Sequence, residues 1–452
     1  MQRLISGLFA LLFSIGVVFA QPVNDPATAL QRYLNKGDTS YGWKLRDSIS
    51  YRNIKGYVFE LTSQTWRDRE WRHEMTIIIP NKIKSDGALL WVTGNGNDEN
   101  GHPKFRKITD AENLAMAQIA ISSGSITAVL HQVPNQPLFD NLDEGDLMPY
   151  SLQQYKDTKD DSWPVFFPMT KSVVRAMDAV QEFVKKRRNA DISRFVISGA
   201  SKRGWVTWLA AATGDQRITA IAPAVIELVN MPVQLDHQLT IFGDERNGEA
   251  KAIAELGISA ANPTPDGQAI ATMVDPYSYL KKITVPKLII IAGNDNYWAI
   301  DAFRFYEKEI EGDYRLCIVP NVPHALGDAK QALGTLNLFF KQIVGNEPLP
   351  KCEWSMNVKK GVAHLTVEGT KDGLLEIALW TAESPTQDFR KAEWVKTKLS
   401  TKKKAKVTAE IPLPENGYKA FFVEIRYKAP EAPGSFTTRA YVIDKKGEIT
   451  GI

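Results

Sequence analysis

The 452-residue chain has little cysteine, little histidine and no real excess of charge of either sign. It holds two cysteines and six histidines, and 55 Lys plus Arg stand against 52 Asp plus Glu, a formal net charge of +3. Two cysteines, Cys317 and Cys352, are too few for a disulfide framework, a Cys-rich zinc site or an iron–sulfur cluster, and allow one bridge at most. The near balance of charge leaves no overall electrostatic footprint for nucleic acid or an anionic membrane. Beyond the N-terminus no apolar run is long enough to cross a bilayer. Low hydropathy combined with high net charge, the mark of disorder, is also missing at 44% hydrophobic and 24% charged residues. What remains is a folded protein with a large core, and at roughly 150 residues per domain its length suggests two or three domains.

The first residues read as an address. Arg3 precedes an uncharged, mainly apolar run from Leu4 to Phe19, and Val18-Phe19-Ala20 before Gln21 fits a small-residue cleavage site. Residues 1–20 are expected to be a secretory signal peptide, which makes the protein secreted or periplasmic. An uncleaved anchor is the alternative, but the run is short for a span of about 20 residues and no stop-transfer flank follows. With no cysteine after the apolar region to carry a lipid, no stable membrane anchor is expected.

Residues 21–346 form the first expected domain. Alternation in Tyr57 to Thr62 and in Met75 to Ile79 predicts antiparallel strands at its start. From Ala88 short apolar strands alternate with helices, which predicts βα units and a mainly parallel sheet flanked by helices. The clearest helix runs from Pro168 to Lys186, with Val173, Val174, Met177, Val180 and Val184 at helical spacing. Residues 228–275 interrupt the alternation and read as a cap-like insertion. Strands at Lys287 to Ala292 and Tyr314 to Val319 resume it, with a helix expected around Asp301 to Ile310 and a last one from Ala329 to Ile343. Glu347-Pro348-Leu349-Pro350 reads as a linker. Beyond it the period becomes two, and turn signals such as Glu415-Asn416-Gly417 predict an immunoglobulin-like β-sandwich over residues 351–452. Six lysines between Lys396 and Lys406 outweigh the whole net charge; they are expected at a solvated hairpin end, which could give this second domain a contact surface for protein or carbohydrate.

The chemistry concentrates in Phe195-Val196-Ile197-Ser198-Gly199-Ala200-Ser201-Lys202-Arg203-Gly204-Trp205. A strand entering Gly-x-Ser and then a helix is the setting of a nucleophile elbow, which presents Ser201 above a sheet. Arg203 stands where the second glycine of G-x-S-x-G is usual, and Gly204 follows one residue later. A serine needs a base, and histidine is the usual one. Of the six, His73 lies in an early strand and His364 in the sandwich, while His102 and His131 follow strands and are candidates to line a pocket; His237 falls in the insertion. His324 follows the last core strand, where an α/β-hydrolase carries its base. The orienting acid belongs after the preceding strand, where Asp295 stands, with Asp301 as the fallback. The order Ser201, Asp295, His324 is that of an α/β-hydrolase. Oxyanion donors are expected from the backbone N–H of Lys202 and from the loop at Gly94 and Asn95.

These stretches resemble the PhoPQ-activated pathogenicity-related family, which includes autocrine proliferation repressor proteins. Its carriers are Gly199 to Trp205, Ala292-Gly293-Asn294-Asp295-Asn296-Tyr297-Trp298, Pro323-His324, Pro168 to Ser172, Leu379 to Ala382 and Asp388-Phe389-Arg390. The resemblance spans nearly the whole mature chain and implies a secreted α/β-hydrolase domain, a β-sandwich after it, and a serine triad on Ser201, Asp295 and His324. The Gly-x-Ser-basic-x-Gly pattern is also similar to that of glucuronoyl esterases, which implies that Lys202 helps stabilise an oxyanion. Dipeptidyl peptidase-like activity in some members would require acids to hold a substrate amine, for which Glu144 and Asp146, expected in a loop, are the candidates.

The expected function is therefore a serine hydrolase acting on an ester or amide bond of a small-molecule or peptide substrate, with no metal or organic cofactor. A secreted signalling or binding protein that keeps the fold without turnover is the alternative.

Overall fold

The computed structural model describes residues 25–400, 405–429 and 431–447. The expected signal peptide and Lys402-Lys403-Lys404 lie outside them. Helix α1 (Ala29–Asn35) leads to three antiparallel strands, β1 (Gly42–Tyr51), β2 (Ile54–Trp66) and β3 (Arg69–Pro80). β1 is the outer edge, and most of its residues are exposed. Its charged side chains, Lys44, Arg46 and Asp47, suit an edge that must not recruit another strand.

The alternating part follows as β4 (Gly87–Val92), α2 (Ala111–Ser123), β5 (Ile126–Leu130), α3 (Glu144–Thr158), α4 (Phe166–Arg188), β6 (Arg194–Ala200), α5 (Lys202–Ala212) and β7 (Ile218–Ala224). Three helices, α6 (Met231–Phe242), α7 (Gly248–Glu255) and α8 (Pro265–Val274), make up the insertion. The core resumes with β8 (Lys287–Ala292), β9 (Tyr314–Val319) and α9 (Lys330–Gly345). The strand order is β1-β2-β3-β5-β4-β6-β7-β8-β9, parallel from β5 to β9. Parallel strands covered on both faces must be apolar on both faces, and these are. Ala88, Leu90, Phe195 and Ile197 pack toward Val173, Met177 and Val180 of α4. Leu89, Val196 and Leu288 pack toward Ile119 of α2 and Phe339 of α9. The chain is thus an α/β-hydrolase fold, with the C-terminal ends of β6, β8 and β9 opening at one edge of the sheet.

Two local expectations are corrected. The helix expected around Asp301 to Ile310 is a pair of short 3-10 turns, Ala302–Phe305 and Glu307–Glu309. Tyr306 breaks them apart with a non-helical backbone, φ −138°, and sends its side chain into the core. The loop expected around Glu144 is helix α3, whose start is capped by Asp143 accepting from the Gly145 N–H at 3.2 Å. Its buried residues Leu147, Met148, Ser151, Leu152 and Tyr155 keep helical spacing in spite of Pro149.

The C-terminal part is antiparallel: β10 (Cys352–Lys359), β11 (Val362–Gly369), β12 (Leu374–Ser384), β13 (Val395–Ser400), β14 (Lys406–Pro412), β15 (Tyr418–Tyr427), β16 (Gly434–Thr437) and β17 (Tyr441–Asp444). A small sheet β10-β11-β14 stands beside β16-β15-β12-β13, with β17 on β15. Ala363, Leu365 and Val367 of the small sheet share a core with Ile377, Phe421, Val423 and Ile425 of the other. The larger sheet is not separate from the first domain. β16 pairs with β9 at Thr437 and Leu316, so the hydrolase sheet runs on into it. Cys317 and Cys352 are both free and buried, and burial pushes both thiols up to about 12. Among the described residues no helix is long and apolar enough to cross a membrane.

Candidate active site

Ser201 is the single residue between β6 and α5. Its backbone, φ 57° and ψ −124°, lies outside the regions a side-chain-bearing residue prefers. The turn is held by the Ser201 N–H on Ala224 O at 2.9 Å and by the Trp205 N–H on Ser201 O at 3.0 Å. Such a tight crossing leaves no room for side chains at two neighbours. A Cβ on Gly199 would meet Val92 O at 2.9 Å, and one on Gly204 would meet Ala224 O at 2.8 Å. The position that must be glycine after the serine is therefore 204, where α5 crosses β7. Arg203 is tolerated because its side chain leaves in another direction.

Asp295 follows β8 and His324 follows β9. His324 Nδ1 lies 2.8 Å from Asp295 Oδ2 and 3.0 Å from Oδ1. The carboxylate also accepts from the Tyr297 N–H at 2.8 Å, and the Tyr297 ring lies against the imidazole at 4.4 Å between centroids. Asp295 is buried, 4% exposed. The other imidazole nitrogen, Nε2, is buried and has no hydrogen-bond partner among the described residues.

Lys202 opens α5, so its N–H is among the four that a helix leaves without an intrahelical acceptor. Across from it, Gly94 packs so tightly on Arg203 that any Cβ there would collide with the guanidinium. Arg203 is fixed in turn: Nε donates to Val133 O at 2.5 Å, Nη1 to Glu144 Oε1 at 2.6 Å, and Nη2 to Glu144 Oε2. The Asn95 side chain is spent within its own loop, donating to Lys104 O at 2.9 Å and accepting from the Gly96 N–H at 2.9 Å. The Lys202 ammonium donates to Glu249 Oε2 of α7 at 2.7 Å and lies 3.5 Å from Glu144. Burial and the neighbouring Glu144 raise the Glu249 pKa against the pull of Lys202. The Glu144 and Asp146 pair suggested by the sequence does not assemble. Glu144 is held by Arg203, while Asp146, two residues further in the same turn of α3, is exposed.

Residues 30–390 match the family profile of the PhoPQ-activated pathogenicity-related proteins. The chain belongs to this family. It is 31% identical over 455 residues to autocrine proliferation repressor protein A of Dictyostelium discoideum, covering 93% of this chain and 88% of that protein. Among solved structures it is similar to acetyl xylan esterase 1 from Thermoanaerobacterium sp., with TM-score 0.45, 13% identity, and 70% of this chain and 92% of that one covered. It is also similar to an S-formylglutathione hydrolase from Agrobacterium tumefaciens, with TM-score 0.45, 13% identity, and 67% and 100% covered.

Elsewhere in this family member the histidines are occupied differently. His73 is buried between Ser63 Oγ at 2.9 Å and His131 O at 2.9 Å, and burial lowers it to about 4. His102 lies beside Arg72, and His364 lies 3.8 Å from Glu410. His237 pairs with Asp301 at 2.9 Å, and Arg304 holds the other oxygen of that carboxylate at 3.1 Å. The fallback acid thus belongs to a different pair. Asp110, Glu112 and His131 form the one ligand-type cluster among the described residues. Arg106 pairs with both of its carboxylates, at 3.0 Å and 2.8 Å.

Glu227, three residues beyond β7, went unnoticed in the sequence. It is 1% exposed and accepts from the Tyr306 hydroxyl at 2.9 and 3.1 Å. Burial pushes its pKa up to about 8, and the nearby Asp295 charge adds to the shift. An acid soon after a buried core strand was the signal that singled out Asp295, and it applies here as well. Beside His324 lies an apolar cavity of about 450 Å³, bordered by Trp91, Met116, Ala200, Leu326 and Leu336.

Proposed function

We propose that this protein is a secreted serine hydrolase that cleaves an ester or amide bond through an acyl-enzyme. Ser201 Oγ attacks the carbonyl carbon while His324 Nε2 takes its proton, and Asp295 holds the imidazole by Nδ1 and stabilises its cation. The backbone N–H of Lys202 and the Gly94 loop face the oxygen that becomes negative. The tetrahedral species collapses, His324 returns the proton to the leaving group, and water repeats the sequence on the acyl-serine. The cavity beside His324 suits an apolar substituent of the substrate.

The observation that carries this reading is the 2.8 Å contact of His324 Nδ1 with Asp295, on a ring whose Nε2 is buried and unpartnered among the described residues. It is tested with a panel of aryl esters and dipeptide anilides, comparing wild type with Ser201→Ala and His324→Ala. The reading requires turnover that both substitutions abolish. The relationship to a protein named as a proliferation repressor favours one other reading, a secreted signalling protein without turnover. A wild type that is inactive on the whole panel would support it.

A further inference from the structure

We propose that the loop between β12 and β13, residues 385–394, is a positioning element of the active site, holding the acid-bearing and histidine-bearing loops in one frame. The proposal rests on the triad reading above. Asn294 immediately precedes Asp295, and its Nδ2 donates to Ala392 O at 2.6 Å and Phe389 O at 3.1 Å, with Arg390 O at 3.5 Å. Gly293 O accepts from Trp394 Nε1 at 3.0 Å. Asn321, three residues before His324, is gripped by the same tryptophan. Its Oδ1 accepts from the Trp394 N–H at 2.8 Å, and its Nδ2 donates to Trp394 O at 2.9 Å.

One segment of the C-terminal sheet therefore bonds to both catalytic loops through side chains that precede Asp295 and His324. The two loops also bond each other, Asn294 N–H to Val322 O at 3.0 Å. Trp394 is itself immobilised, 2% exposed and packed on Phe422 of β15 at 5.0 Å between centroids. The same loop reaches the insertion, where Arg390 donates to Glu245 O at 3.0 Å and lies over the Phe242 ring at 4.0 Å. Loops at strand ends are the mobile part of an α/β fold, and a His–Asp contact tolerates little misplacement. The C-terminal sheets supply the missing rigidity.

The experiment uses the full chain with Trp394→Phe, which keeps an aromatic ring at the position and removes the indole donor, and Asn294→Asp, which keeps the shape, removes the amide donor and adds a charge. The comparator is Trp380→Phe, which removes an indole donor to Glu424 in the same sheet; its ring also stacks on Phe422, as Trp394 does, but its indole N–H bonds to neither loop. Two quantities are read: the rate of serine labelling by a fluorophosphonate, and the low-field proton resonance of the His324–Asp295 hydrogen bond. The proposal expects labelling to slow about 10-fold or more in the first two variants, with the resonance shifted or broadened, and neither change in Trp380→Phe. Wild-type rates and an unmoved resonance in Trp394→Phe and Asn294→Asp overturn it, as does an equal loss in Trp380→Phe. A wild type that does not label, but whose resonance moves in the first two variants, leaves the positioning role standing and removes the hydrolase reading instead.

Discussion

Arg203 and Glu144 meet in a two-point ion pair that joins the elbow helix α5 to the first turn of α3, with the guanidinium packed on the backbone of Gly94 in the loop expected to bind the oxyanion. The arginine stands where the motif usually has glycine, so its side chain gives the elbow a contact that a glycine could not. The arginine side chain is 11% exposed and the glutamate side chain 21%. Breaking a largely buried, hydrogen-bonded pair costs more than breaking a surface one.

Arg203→Lys should therefore not substitute for arginine, because an ammonium cannot reproduce the planar two-point contact or the third bond to Val133 O. We expect a loss of roughly 1–3 kcal/mol in denaturant unfolding and at least 10-fold slower serine labelling. Wild-type stability in Arg203→Lys would show that the pair contributes charge alone.

Gly94→Ala tests the same contact from the other side. The added Cβ collides with a guanidinium that three hydrogen bonds hold in place, so the loop must move. A cost of about 1–3 kcal/mol is expected, with turnover reduced more strongly than the thermal midpoint would imply. Turnover and melting equal to wild type would mean that the loop has slack the structure does not show.

Asp295→Asn retains the shape of the side chain but presents a neutral amide to His324 Nδ1. Turnover should fall by about 10³- to 10⁴-fold with little unfolding, as in other triads. Asp301→Asn should do the reverse, lowering stability through the lost His237 and Arg304 partners while serine labelling persists. Exchanged outcomes would reassign the acid.

Much of this arrangement was legible in the sequence because it lies at the ends of buried strands. The apolar runs ending at Ile197, Ala292 and Val319 set the strands, and Ser201, Asp295 and His324 follow within five residues of their ends. The chain order and the linker before the C-terminal part followed from the change of period. What stayed hidden depends on long-range contacts. Arg203 could not be read as a partner of Glu144, 59 residues away, and Glu144, expected in a loop, opens helix α3. Lys202 was expected to face the oxyanion, but a carboxylate from the insertion, Glu249, binds its ammonium. The pairing of β16 with β9 rests on a single register position, and no local pattern announces it.

Glu227 gives the protein a pH dependence of definite sign. Its folded-state pKa, about 8, lies above the 4.5 of an unfolded glutamate, so the folded protein binds the extra proton between those values. The contribution to stability is complete below about pH 4.5 and is lost as pH rises toward 8. Glu227→Gln cannot ionise. The stability of wild type relative to this variant should therefore decline from pH 5 to pH 8.5, by on the order of a few kcal/mol, in denaturant melts at fixed ionic strength. Parallel curves for the two proteins would contradict a protonated Glu227.

The central claim is that Ser201 is a nucleophile activated by His324. Its most direct test is intact-mass and peptide analysis of the protein after exposure to a fluorophosphonate under native conditions. The account predicts one adduct per chain, on the peptide containing Ser201, absent from Ser201→Ala and nearly absent from His324→Ala. No adduct on the folded wild type, or an adduct on another residue that survives Ser201→Ala, would contradict it.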